Sequence, residues 1–113
     1  MGATGSAGLV LNPFASTLST VDSTGDVGQY TSITLGADGL PVISYYDVTN
    51  GDLKVAKCVN AACTGASTLT TVDSAGFVGL YTSITLGADG LPVISYSDFT
   101  NRDLKVAKCG NAA

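Results

Sequence analysis

Hydrophobic and polar positions follow one another in short runs, each closed by a cluster of Gly, Asp, Asn, Ser or Thr. Residues 16–22 (STLSTVD) are rich in β-forming side chains and end at Ser23-Thr24-Gly25. In residues 30–35, Thr31, Ile33 and Leu35 alternate with Tyr30, Ser32 and Thr34, the period of two that a strand imposes. Gly36-Ala37-Asp38-Gly39 follows, and its Asp-Gly pair can supply the positive φ angles of a tight hairpin. A third strand is expected over 40–46, with Pro41 near its start because proline has no amide proton for a ladder. After the turn residues 47–51 comes a fourth run, 52–58, with Leu53 and Val55 on one face. The pattern predicts a four-strand antiparallel meander.

The same pattern then returns. At an offset of 51 residues, 16–62 superimposes on 67–113 with eight mismatches, and YTSITLGADGLPVISY occurs unchanged at 30–45 and 81–96. A repeated four-stranded unit cannot bury both of its faces alone, and stacking such units around an axis gives a β-propeller. The expected fold is therefore all-β: two four-stranded blades per chain in the permuted order D-ABC-D-ABC, with D over 16–22, A from Tyr30, B over 40–46 and C over 52–58, and the same letters 51 residues on. On this reading 1–15 is a leader, 16–66 the first repeat with its following connection, and 67–113 a second repeat cut short.

Two blades cannot close a ring, and each open strand edge invites pairing. Ser16, Leu18, Thr20 and Val21 of one copy are expected to pair with Leu104, Val106 and Lys108 of the next, head to tail. Closure then needs an even number of blades, six or eight, from a homotrimer or homotetramer. A non-closed stack of two solenoid coils is the alternative.

Composition narrows the chemistry. The chain has nine acidic residues, all of them Asp, and no His, which removes His-based acid/base chemistry, His metal sites and Glu general acids. An enzyme is not expected, and no cofactor is called for. A formal net charge of −4 offers no basic surface for nucleic acid. No apolar run is long enough to span a membrane, and no secretion signal is recognisable.

The stretch DVGQYTSITLGADGLPVISYYDVTNGDLKVAKC (26–58) resembles tandem repeats of bacterial and environmental propeller proteins with nearly identical blades, and the resemblance covers residues 16–113. SYYDVTNGDL is loosely similar to the Asp-box of sialidase-type propellers, although the Trp expected at its end is missing and the spacing differs. Two-blade segments of architecturally related lectin propellers assemble into full rings. The resemblance thus implies oligomerisation and brings in glycans as a ligand class, without assigning a catalytic residue.

Six of the eight mismatches fall in the D-to-A and B-to-C connections, which emerge on one face of a propeller, while the A-to-B turn on the opposite face is unchanged. A fixed scaffold with one diversified, ligand-recognising face is expected. Its candidate residues are Asp26, Gln29, Tyr46 and Asp47 in the first repeat, and Phe77, Ser97, Asp98, Phe99 and Arg102 in the second. Tyr46 and Phe99, beside a turn, are expected to be exposed, whereas Tyr30, Tyr45, Tyr81 and Tyr96 read as packing residues. A hydrolase would need convergent Asp22, Asp26 or Asp47 carboxylates from several chains. Asp47, Thr49, Asn50 and Asp52 gather oxygens within six residues, but their spacing is not that of a calcium loop and fits Asx-type turns. The exchange of Gly51 for Arg102 suggests that this position does not need a positive φ. Cys58 and Cys63 flank a short connection that a disulfide can close, pointing to an extracellular or periplasmic setting, and Cys109 is left over.

Overall fold

A computed structural model describes residues 16–111. The leader expected over 1–15 lies outside the described residues. The chain is all-β, with seven strands among the described residues: β1 (Val27–Leu35), β2 (Pro41–Asp47), β3 (Asp52–Lys57), β4 (Thr68–Asp73), β5 (Val78–Leu86), β6 (Pro92–Asp98) and β7 (Asp103–Lys108). They form two antiparallel sheets, one of four strands ordered β1-β2-β3-β4 and one of three ordered β5-β6-β7.

The hairpin between β1 and β2 is closed as its sequence requires. The Gly36 amide donates to the Leu40 carbonyl, Gly39 takes φ 79°, and the Asp38 carboxylate accepts from the Leu40 amide. Lys57 pairs with Asp38 at 2.9 Å, holding the turn to the third strand. Gly87, Asp89, Gly90 and Lys108 repeat the arrangement.

Two expectations are corrected. The first strand of each sheet begins at Val27 and Val78, not at the tyrosine three residues on. Two register shifts, between Val27 and Gln29 and between Gln29 and Ser32, each insert an extra residue, so simple alternation from Tyr30 breaks. Tyr30 and Tyr81 sit in these bulges at φ 54° and 55°.

Residues 16–22, expected to pair only with a neighbouring copy, form no ladder within the chain. The outer edge of the first sheet is already taken by β4, which pairs with β3 from Leu53–Asp73 to Lys57–Thr68. Position 51/102 does need a positive φ: Gly51 has φ 72° and Arg102 φ 60°. The turn after Asp47 fixes it, with the Gly51 amide donating to the Asp47 carbonyl.

The core lies between the two sheets. Val42, Leu53 and Val55 of the first pack against Val78, Ile84, Ile94 and Tyr96 of the second, flanked by Val72 and Ala107.

Candidate functional site

The contact between the sheets begins with backbone that can come unusually close. Gly79 has φ 103°, and a Cβ there would lie 2.7 Å from the Leu53 Cα, so the bulged start of β5 rests directly on β3. Polar groups lock the approach. The Val78 amide donates to the Gly51 carbonyl at 3.0 Å, the Thr82 hydroxyl to the Tyr30 carbonyl at 2.6 Å, and the Ile84 amide to the Ser32 hydroxyl at 3.2 Å. Ser44 and Thr82 share a buried hydrogen bond of 2.9 Å.

A carboxylate clasp completes the contact. Asp73, at the end of β4, accepts from the Tyr96 hydroxyl and from Lys105 of the second sheet, both at 2.7 Å. Burial pushes its carboxyl up, but the hydrogen bonds from Lys105, Tyr96 and the Ala75 amide, with the Lys105 charge, hold it down to about 2. Burial and the Asp73 bond raise the Tyr96 phenol far above its ordinary value. The same clasp recurs one repeat earlier: Asp22 accepts from the Tyr45 hydroxyl at 2.7 Å and from Lys54 at 2.9 Å, and its carboxyl is likewise held down to about 2 against burial.

Equivalent positions therefore fall into two opposite environments. Leu53 and Val55 are 0% and 2% exposed in the contact, whereas their counterparts Leu104 and Val106 are 81% and 62% exposed. On the other side, Ile84 is 7% exposed and its counterpart Ile33 61%. Gly79 seats Leu53, while a Cβ at its counterpart Gly28 would meet nothing within 4 Å. Residues 19–22 and the first sheet enclose a cavity of ≈ 280 Å³ lined by Thr20, Val21, Gly28, Thr31, Ile43 and Tyr45. Moved on by 51, Val21, Ile43 and Tyr45 become Val72, Ile94 and Tyr96, the residues that receive Val42, Leu53 and Val55 in the core. One end of the molecule carries an open seat, and the other carries the apolar ridge that fills such a seat within the chain.

The candidate ligand residues divide differently from expectation. The D-to-A and B-to-C connections of each repeat do meet: the Val48 amide donates to the Asp26 carbonyl and the Phe99 amide to the Phe77 carbonyl, both at 2.9 Å. Asp26, Gln29, Phe77, Phe99 and Arg102 are exposed. Ser97 is half-buried. Tyr46, expected to be exposed, is buried. It lies beside Phe77, Leu80 and Phe99, and the Tyr30 ring stands 6.3 Å from its own. Asp47 and Asp98 are buried as well, each accepting from the backbone and side-chain amides of Asn50 or Asn101. These carboxylates are spent on Asx turns, and the Asn101 bonds lower Asp98 below its usual range.

The cavity at the open end of the second sheet, ≈ 520 Å³, is bounded by Tyr81, Ser97, Phe99, Arg102 and Leu104 among others. Tyr81 and Tyr30 stand with ring centroids 4.3 Å apart, and the Tyr81 hydroxyl raises the Tyr30 phenol above its ordinary value. No local pattern marks this tyrosine pair, because it depends on two bulges brought together across the sheets. Cys58 and Cys63 are disulfide-bonded with Cα atoms 4.9 Å apart. Cys109 is a free thiol whose ionisation burial disfavours, outweighing the Lys108 charge. Among the described residues, no three Cys or Asp side chains are grouped to hold a metal ion.

No family model matches the chain, and no similar curated protein or solved structure was found.

Proposed function

We propose that the chain is a non-enzymatic scaffold that assembles with copies of itself into a β-propeller. The observation that carries this reading is the match between its two ends: exposed Leu104 and Val106 correspond to buried Leu53 and Val55, and the open cavity beside Gly28 corresponds to the site that receives them. Seating the ridge of one copy in the cavity of the next repeats the sheet-to-sheet contact that the chain already makes once. The register of β4 on β3, moved by one repeat, then sets Leu104 opposite Asp22 and Ala107 opposite Leu18 of the neighbouring copy. Residues 16–22 gain the ladder they lack, and the edge of β7 is covered.

Heterologous contacts of this kind close into a ring when the rotation per copy divides a full turn. Three copies give six blades and four give eight. Native mass spectrometry and light scattering test the reading, with three or four chain masses expected; a monodisperse monomer across the accessible concentration range overturns it. A second reading, glycan binding, draws on the exposed Tyr81 and Phe99 rings and the Arg102 guanidinium around the ≈ 520 Å³ cavity. Because assembly covers Leu104 and Arg102 of this cavity, screening the dissociated chain on a glycan array, at a dilution where copies are apart, tests that reading separately.

A further inference from the structure

We infer that the differences between the two repeats are a pairing code, in which Asp26 of one copy faces Arg102 of the next and marks the junction between copies as distinct from the junction within the chain. This rests on the assembly reading above.

The junction within the chain shows what meets what. Phe77 of the second repeat lies over Gly51 of the first, so closely that a Cβ at 51 would stand 2.7 Å from the ring Cδ1. Leu80 and Phe99 border the same apolar hollow with Tyr46. Moved by one repeat, the junction between copies brings Asp26 to the place of Phe77, Arg102 to that of Gly51, Gln29 to that of Leu80 and Ser97 to that of Tyr46. Three of the four side chains lining the hollow thus become polar, the fourth, Phe99, gives way to the still apolar Val48, and the bare Gly51 is replaced by the cationic Arg102. The change at 26 is also one of size. Arg102 keeps the left-handed backbone of Gly51, at φ 60°, so its Cβ projects where a Phe77-like ring would sit, and the short Asp26 leaves that space free. The guanidinium then has a carboxylate beside it in place of a ring.

Such a pair, near the rim, adds little to affinity but decides which surfaces accept each other. An Asp26 face rejects no Arg102 end, whereas a Phe77-type face would. These are the same positions that the sequence pattern marks as a diversified ligand surface. Their location on the two sides of each junction accounts for six of the eight differences falling in the D-to-A and B-to-C connections while the Gly36–Gly39 turn on the opposite side is unchanged.

The test is charge exchange in the full chain, read by native mass and sedimentation equilibrium at low and high salt. Arg102→Asp and Asp26→Arg each set like charges at every junction and are expected to weaken self-association roughly tenfold at low salt. The double variant D26R/R102D restores an opposite pair at every junction and is expected to recover the wild-type assembly. Arg102→Gly, which suits the backbone of that position, separates charge from folding: it should keep the wild-type far-UV circular dichroism and lose part of the salt dependence of association. If wild type assembles but both single variants match it at every salt concentration, or the double variant fails to recover, the pairing code is overturned while the scaffold stands. A monomeric wild type overturns both.

Discussion

Phe77 covers Gly51 across the two sheets, and the space above that glycine admits no side-chain carbon. Gly51 also holds φ 72°, where an L-residue is strained. Gly51→Ala therefore combines a backbone penalty with a collision against the ring and is expected to cost about 2 kcal/mol. At the equivalent position, Arg102 already bears the backbone penalty at φ 60°. Arg102→Gly is expected to stabilise the isolated chain by about 1 kcal/mol. Urea denaturation of the two variants beside wild type checks both signs, and equal effects at the two positions would refute the argument.

The Asp73 clasp makes the contact between the sheets sensitive to acid. Its carboxyl is held down to about 2, against an ordinary 3.8 in an unstructured chain, so the unfolded state takes up a proton first as pH falls. The clasp's contribution is complete above about pH 4 and is lost as pH drops through the folded value, with a magnitude of about 2 kcal/mol. The Asp22 clasp follows the same course and additionally frees residues 16–22 from the first sheet. Thermal unfolding between pH 5 and pH 2 should show a falling melting temperature. Asp73→Asn should be less stable at pH 5 and show a shallower fall. A variant whose curve runs parallel to wild type would count against the clasp.

Much of this arrangement is legible in the chain itself. The strands over 41–47 and 52–57 with their repeats, the Asp-Gly hairpin and the Cys58–Cys63 closure depend on residues close in sequence, and they stand where their local chemistry puts them. What escapes a reading of the sequence depends on the other sheet. Tyr46 sits beside a turn, yet it is buried because Phe77 and Leu80 arrive from the second repeat. Residues 16–22 are different: their composition is that of a strand, and the permuted order already leaves them no edge within the chain, where β4 occupies the one beside β3. The Gly-to-Arg exchange at 51/102 looked like freedom in φ, whereas the hydrogen-bonded turn after Asp47 imposes the left-handed backbone and Arg102 bears the strain.

The connection after β3 is fastened twice. The Cys58–Cys63 disulfide closes a short loop, worth roughly 2 kcal/mol by loop entropy. Inside it Asn60 accepts from the Ala62 and Thr64 amides and donates to the Thr64 carbonyl. Because Asn60 holds the turn without the sulfurs, Cys63→Ser is expected to lower stability by about 2 kcal/mol yet leave β4 paired to β3. Hydrogen exchange at the alternate amides of β4 that face β3 checks this, and loss of their protection in the folded variant would contradict it. Cys109 is the contrasting thiol. Burial raises it, so at neutral pH it should react with a disulfide reagent more slowly than an unstructured cysteine.

Leu53 and Leu104 separate the stability of the chain from its association. Leu53 is sealed between the sheets, so Leu53→Ala removes buried methyl groups and leaves a void beside Gly79, at a cost of about 3 kcal/mol to the folded chain. Leu104 has the same chemistry and the same place in its strand but is exposed in the single chain. Leu104→Ala should therefore change the chain's own stability by less than about 0.5 kcal/mol, measured at a dilution where copies are apart. At higher concentration, wild type should gain stability through self-association and the Leu104→Ala chain should gain much less. Urea midpoints followed over a hundredfold range of concentration show the difference. If the two proteins shift equally with concentration, Leu104 does not lie in the contact between copies, and the ridge-in-cavity arrangement is wrong even where an oligomer forms.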